Sequence, residues 1–239
     1  MTTTLFDKWT SRYDSWFETP RGILVKEYES DLLVQMLSPC PGEKILDAGC
    51  GTGVFTQDIM TFDPVITGID ISQSMLRKAV HKFNKINGLN ESGKSNFIGT
   101  CADICALPFA DNHFDKVLSM TAIEFIEDAK QAITELERVT RKGGTIVLTT
   151  LNSLSPWAEK RLEAAKNGHD LFQKIFFRSP DEIRSLIPAN SLAPINPIVK
   201  TAIHFQKETL LSDIIKIERK GKKNNSDKGA FLAVTWKKT

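Results

Sequence analysis

The sequence predicts an α/β fold: a mostly parallel sheet with helices on both faces. Two observations predict it. Five short apolar runs, Lys44–Ala48, Val65–Asp70, Asn96–Ala102, Phe114–Met120 and Thr145–Leu151, alternate with helical stretches near 54–61, 72–87 and 128–140. Alternation of this kind means strands in parallel, joined by helices that cover both faces. Three acids, Asp47, Asp70 and Asp103, close neighbouring strands, so they converge on one crevice at the strand ends.

The elements follow in order. Leu5, Phe6, Trp9, Tyr13, Trp16 and Phe17 form an apolar stripe at helical spacing, with a heavy aromatic load. Thr19-Pro20-Arg21-Gly22 breaks this helix and reads as a hinge. A second amphipathic helix carries Leu24, Tyr28, Leu32, Leu33 and Leu37, and Ser38-Pro39-Cys40-Pro41-Gly42 stops it. Residues 1–40 are therefore expected to form an N-terminal helical cap or lid, and 41–239 the main domain.

The sharpest local feature is Ile45-Leu46-Asp47-Ala48-Gly49-Cys50-Gly51-Thr52-Gly53, a buried strand that opens into a glycine-rich turn before a helix. Glycines there let the backbone bend tightly and let a ligand touch it. The dinucleotide fingerprint needs glycine at 54, and that residue is Val54; no G-K-[ST] follows, so a P-loop is excluded as well. Asp47 beside the turn suits a ligand with a cationic group and disfavours a pyrophosphate. Asp70 ends the next strand, where a carboxylate accepts two hydrogen bonds from a ribose diol. Asp103 ends the third strand, where it could accept from an exocyclic adenine amine.

Further along, Asp128 is expected to cap the helix bearing Ala129, Ala132, Ile133, Leu136 and Val139, with Gln131 at its third position. Ser155-Pro156 opens a helix that ends at Asn167-Gly168. Ser179-Pro180-Asp181-Glu182 is a capping box. Residues 198–205 alternate weakly, as a strand does. The basic run 218–228 reads as a solvated loop, and Gly229–Trp236 as a last strand.

Composition bounds the function. Hydrophobic residues make up 41% of the 239 and charged residues 25%, which excludes disordered and fibrous classes. A net charge of +2 offers no strong field to nucleic acid or an anionic membrane. No apolar run is long enough for a membrane helix, and Met1–Lys8 lacks the pattern of a secretory signal, so a cytoplasmic location is expected. Cys40, Cys50, Cys101 and Cys105 lack zinc-site spacing, so no metal is expected. His81 and His113 read as solvated. His169 and His204 are the histidines of the C-terminal third available as a base, and Glu124, just past the fourth strand, is a better-placed carboxylate.

Asp47–Gly53 resembles motif I of the class I S-adenosylmethionine-dependent methyltransferases. The likeness continues through Asp70-Ile71-Ser72-Gln73-Ser74-Met75-Leu76, Ala102-Asp103, Phe109–Asp115 and Arg141-Lys142-Gly143-Gly144, over about residues 38–152. The nearest group is the small-molecule type that includes the ubiquinone/menaquinone enzymes. The resemblance implies a Rossmann-like, seven-stranded, mostly parallel sheet, with Gly229–Trp236 as its antiparallel strand. It implies S-adenosylmethionine as cofactor, S-adenosylhomocysteine as product and a small-molecule acceptor. Gly49, Gly51 and Gly53 would then approach the methionine part, and Asp47 would orient the loop or meet the ammonium. Asp70 would bind the ribose, Ile71 and Met75 the adenine, and Asp103 the adenine amine beside the Ile104 backbone. Met120 and Thr121 would face the reacting methyl. Tyr13, Trp16 and Phe17 would form an aromatic lid. Residues 153–205 would be the variable, acceptor-side segment. Against nucleic acid stands Ser119-Met120-Thr121-Ala122, where enzymes that methylate base amines carry an N-P-P-Y type motif. The alternative is a fold of this type that binds the cofactor or a protein partner without chemistry.

Overall fold

The computed structural model describes Phe6, Thr10 and residues 13–87, 96–169, 171–188 and 197–239. Seven strands form one sheet in the order β3-β2-β1-β4-β5-β7-β6. Their bounds are β1 Lys44–Ala48, β2 Val65–Asp70, β3 Phe97–Cys101, β4 Phe114–Ser119, β5 Thr140–Leu151, β6 Ile198–Ala202 and β7 Phe231–Lys237. The first five run parallel; β7 lies antiparallel between β5 and β6. The expected Rossmann-like sheet is thus present, antiparallel strand included.

The strands are apolar on both faces because helices cover both. The helices are α1 Tyr13–Trp16, α2 Pro20–Leu37, α3 Thr56–Met60, α4 Gln73–Asn87, α5 Ala129–Val139, α6 Pro156–Lys166, α7 Pro180–Leu186 and α8 Leu211–Lys223. Successive side chains of β1 divide between the two layers. Ile45 packs into a cluster with Leu33 and Leu37 of α2, Phe83 of α4 and Ile214 of α8. Leu46 packs into a second, with Ile133 and Leu136 of α5 and Ile183 of α7. Period-two alternation puts neighbouring residues on opposite faces.

The helix starts obey their caps. The Asp128 carboxylate accepts the Gln131 N–H at 2.9 Å. Ser155 caps α6 ahead of Pro156, and Ser179 with Glu182 completes the capping box of α7.

Three expectations need correction. Thr19–Gly22 is a tight corner rather than a hinge. Thr19 Oγ1 accepts the Gly22 N–H at 3.0 Å and donates to the Trp16 carbonyl at 2.7 Å, so one side chain ties both helices. The expected N-terminal helix is described only over Tyr13–Trp16; the rest lies outside the described residues apart from Phe6 and Thr10. The basic run at 218–228 is in large part helix, since α8 reaches Lys223. Its buried Ile214 and Glu218 sit four apart on one face, and the lysines cover the other. Glu218 is buried because its two oxygens accept the N–H groups of Ile203 (3.2 Å) and His204 (2.7 Å) where β6 ends. β6 stops at Ala202 rather than at 205, before Ile203 turns to φ 64°.

No described helix is long and apolar enough to cross a membrane. Among the described residues, no three His, Cys, Asp or Glu side chains stand together as a metal site requires.

Candidate functional site

A cavity of about 1080 Å³ opens at the carboxyl ends of β1, β2, β3 and β4. Asp47, Gly49, Gly51, Asp70, Ile71 and Met75 line it on one side. Asp103, Ile104, Met120 and Thr121 close it from the next strand ends, and Tyr13 and Trp16 from the N-terminal side. The structure therefore gathers twelve of the thirteen expected site residues around one space. The thirteenth, Gly53, faces elsewhere: a Cβ there would lie 2.6 Å from the Phe83 ring. Its role is close packing of the loop on α4.

The loop geometry follows from its glycines. Gly51 has φ 54°, and a Cβ on it would meet no atom within 4 Å, so the position opens onto the cavity. Its N–H donates to Asp70 Oδ2 at 2.9 Å. Asp70 Oδ1 accepts the Ser72 N–H at 2.7 Å. One carboxylate thus ties the glycine loop to the start of α4.

Asp47 is 2% exposed. Thr56 Oγ1 donates to its Oδ2 at 2.5 Å, while Oδ1 is sealed from solvent without a hydrogen-bond partner among the described residues. Burial pushes its carboxyl up to about 7, against the pull of Thr56 and with a further push from the Asp70 charge. An orphaned buried acceptor is costly unless something supplies a donor. The ammonium of an amino acid is such a donor, and beside the open Gly51 backbone it fits the space.

Asp103 is exposed, and its Oδ1 accepts the Cys105 N–H at 2.8 Å, a local turn that leaves its other oxygen free of that bond. Ile71 is 55% exposed at the rim, whereas Met75 and Ile104 are buried. Thr121 carries φ 45°, an outlier for a β-branched residue, and its N–H donates to Thr149 Oγ1 at 2.9 Å. Thr149 also donates to the Met120 sulfur at 3.2 Å. Strain of this kind persists where surrounding structure holds it, commonly at functional sites.

The N-terminal aromatics stack as a series onto the loop. Tyr13 and Phe17 rings lie 5.5 Å apart, and Phe17 and Phe55 5.4 Å, both edge to face. Thr52 Oγ1 donates to Asp14 Oδ1 at 2.5 Å, and Lys78 reaches the Thr10 carbonyl. The Tyr13 hydroxyl shares a side-chain hydrogen bond with Thr121, and burial raises its pKa.

Neither candidate histidine belongs to this cavity. His204 is paired with Glu218 at 3.2 Å on the far side of the sheet edge, and His169 stacks on Phe172. Glu124 does line the cavity. So do Glu29 and Arg161, which sequence reasoning passed over because they come from helices far apart in the chain. A larger groove of about 1390 Å³ runs between α2, β6 and α8, but no strand end with an acid opens into it.

Known proteins agree with this geometry. Residues 46–148 match the methyltransferase domain family. The chain is 33% identical over 156 residues to an O-methyltransferase of Pyrenophora dematioidea, covering 65% of this chain and 56% of that protein. It is 26% identical over 234 residues, 98% of both chains, to an uncharacterized protein of Methanocaldococcus jannaschii. A crystal structure from Thermotoga maritima of an S-adenosylmethionine-dependent methyltransferase, described as a possible histamine N-methyltransferase, superposes with a TM-score of 0.69 at 19% identity, over 98% of each chain. The chain spans about half the length of several named relatives it matches. Residues 46–148 thus match a methyltransferase domain, and the chain as a whole has the fold of that Thermotoga maritima structure.

Proposed function

We propose that the protein transfers a methyl group from S-adenosylmethionine to a small-molecule acceptor held in the same cavity. The observation that carries this reading is the orphaned Asp47 Oδ1 beside the open Gly51 backbone. Asp47 would meet the ammonium, and Gly49 and Gly51 the methionine chain. Asp70 would hold the ribose hydroxyls and Asp103 the adenine amine, with Ile71, Met75 and Ile104 around the base. Met120 and Thr121 would stand at the reacting end. When bound, S-adenosylmethionine supplies a methyl already activated by its sulfonium. The chain aligns the acceptor and keeps water out. Named relatives that methylate oxygen support an oxygen acceptor here. The motif likeness to the ubiquinone/menaquinone group covers residues 38–152 and stops short of the acceptor segment, so it names no acceptor.

Calorimetry with S-adenosylhomocysteine tests the reading. Saturable one-to-one binding is expected, and no binding would overturn it. The affinity is also expected to depend on pH with a definite sign. The ammonium needs the ionised Asp47, whose folded pKa is raised to about 7. Binding should therefore strengthen as pH rises from 6 to 8, by about tenfold for one linked proton. Asp47→Asn should flatten that slope.

Tyr13–Phe17 would cover the bound cofactor. Hydrogen exchange over residues 13–20 should slow when S-adenosylhomocysteine binds, because the ligand packs beneath these aromatics and excludes water. Equal exchange with and without ligand would make these aromatics permanent core.

A further inference from the structure

The cavity continues past the strand ends into a second compartment with its own chemistry. Its walls are apolar: Phe17, Val25, Phe125, Trp157, Phe172 and Ile175. Three separate elements bring ionisable groups into it, while Arg21, Lys160 and Lys207 also line the cavity. Glu29 comes from α2, Glu124 from the 3-10 turn Ile123–Phe125, and Arg161 from α6.

Arg161 is the odd member. Its Nη1 is sealed from solvent and has no hydrogen-bond partner among the described residues. Both glutamates act on it electrostatically, yet it forms no ion pair with either among those residues. The guanidinium carbon lies 5.3 Å from the Trp157 ring centroid, a cation–π contact that fixes its direction. A buried guanidinium with an unused donor is a waiting anion site.

Glu124 is held firmly. Arg178 donates to the Ile123 and Ile126 carbonyls at 2.9 and 3.3 Å, clamping the turn from both ends. The Phe176 N–H donates to the Glu124 carbonyl at 2.7 Å. Around the carboxyl stand Thr150 of β5 (Oγ1 at 3.4 Å), its own backbone N–H, Arg161 and Arg178, with Tyr13 and Glu29 beyond. Burial outweighs the two arginines and pushes Glu124 up to about 7. Half-buried Glu29 is pushed up to about 8 by desolvation and by the Glu124 charge, despite Arg161. Both carboxyls are thus raised toward neutral pH, and Glu124, with two arginines acting on it, is placed to take and return a proton as a general base does.

We infer that this compartment takes an apolar acceptor by an ionisable hydroxyl, a phenol or an enol, with Glu124 accepting the hydroxyl proton and Arg161 pairing with the oxyanion. The inference rests on the methyltransferase reading and names its acceptor class. The O–H bond breaks, its electron pair stays on oxygen, and the proton bonds to a Glu124 carboxylate oxygen. The negative charge moves from glutamate to acceptor, so the buried compartment gains no net charge. Other acceptors use only half of this arrangement. A carboxylate arrives already ionised, needs no base and meets the Glu124 charge. An ammonium meets the Arg161 charge. A hydroxyl that ionises only once inside uses both groups.

The probe is 2-naphthol, a phenol whose ionised form absorbs at longer wavelength than the neutral one, added to the full chain without cofactor. At pH 8, where the free probe is mostly neutral and Glu124 mostly ionised, binding should produce the phenolate band. Calorimetry in two buffers of different ionisation heat should find almost no proton released, because Glu124 keeps it. Glu124→Gln should still form phenolate but release about one proton per probe to the buffer. Arg161→Met should lose the band and weaken binding by about tenfold or more. Should Arg161→Met fail to fold, Arg161→Lys retains the cation and is expected to keep part of the band. A bound probe that stays neutral in the wild type would overturn the inference. So would equal proton release in wild type and Glu124→Gln, or tighter binding of 2-naphthoate than of 2-naphthol. S-adenosylhomocysteine titrations of the same proteins separate the two readings. Failure there in the wild type removes the methyltransferase assignment, while the probe results report on the compartment alone.

Discussion

Gly51→Val is expected to abolish S-adenosylhomocysteine binding while leaving the protein folded. Gly51 sits at φ 54°, and the space above it is the cavity itself. A valine would project both its methyls where the ligand backbone must lie. It would also be strained in that conformation, at about 1–3 kcal/mol, a loss that a domain of this size survives. The Gly51 N–H that reaches Asp70 would shift with it. Calorimetry and a melting curve read the two effects separately: no detectable binding, and a melt lowered by a few degrees. Gly53→Val is the contrast, since its Cβ would drive into Phe83 and damage packing first. Normal affinity in Gly51→Val would show that the loop is not the cradle.

Asp70→Ala is expected to weaken the same ligand by about 10- to 100-fold, the worth of one charge-assisted hydrogen bond or a little more. The structure adds a second cost. Asp70 holds the Gly51 and Ser72 N–H groups, so its loss loosens the loop as well as removing the ribose acceptor. A lower melting temperature should accompany the weaker binding. Asp70→Asn retains one acceptor oxygen and should fall between wild type and alanine. If Asp70→Ala binds as tightly as the wild type, the ribose assignment is wrong.

The two variants probe the part of the molecule most legible in the sequence. Residues 44–70 announce themselves because local rules decide them: a strand buried on both faces must be apolar, and a turn at positive φ favours glycine. The caps at Asp128, Ser155 and Ser179 were readable for the same reason, one side chain serving the next turn. Where tertiary contacts decide, the text is silent. Lysines and arginines at 216–223 look like a solvated loop until β6 and β7 bury the Ile214 face. Thr19-Pro20 resembles a hinge until the Trp16 carbonyl takes the Thr19 hydroxyl. Glu124 could be suspected from its place after β4. Glu29 and Arg161 could not, because they lie 95 and 37 residues from it and meet it only through the fold.

The position of β7 has a consequence for how the chain is made. Synthesis delivers β1 to β5 first, and these pair in parallel around the glycine loop. β6 then emerges with no neighbour, because its only partner strand, β7, is still to come. The exposed edge of β5 waits as well, and an unpaired edge invites association with other chains. Sheet closure is thus a single late event in which residues 231–237 slide between two strands already present. A ribosome that stalls before residue 231 would hold a nascent domain with its loop shaped and its far third unzipped. Shortening the chain by those residues should make it aggregate during expression.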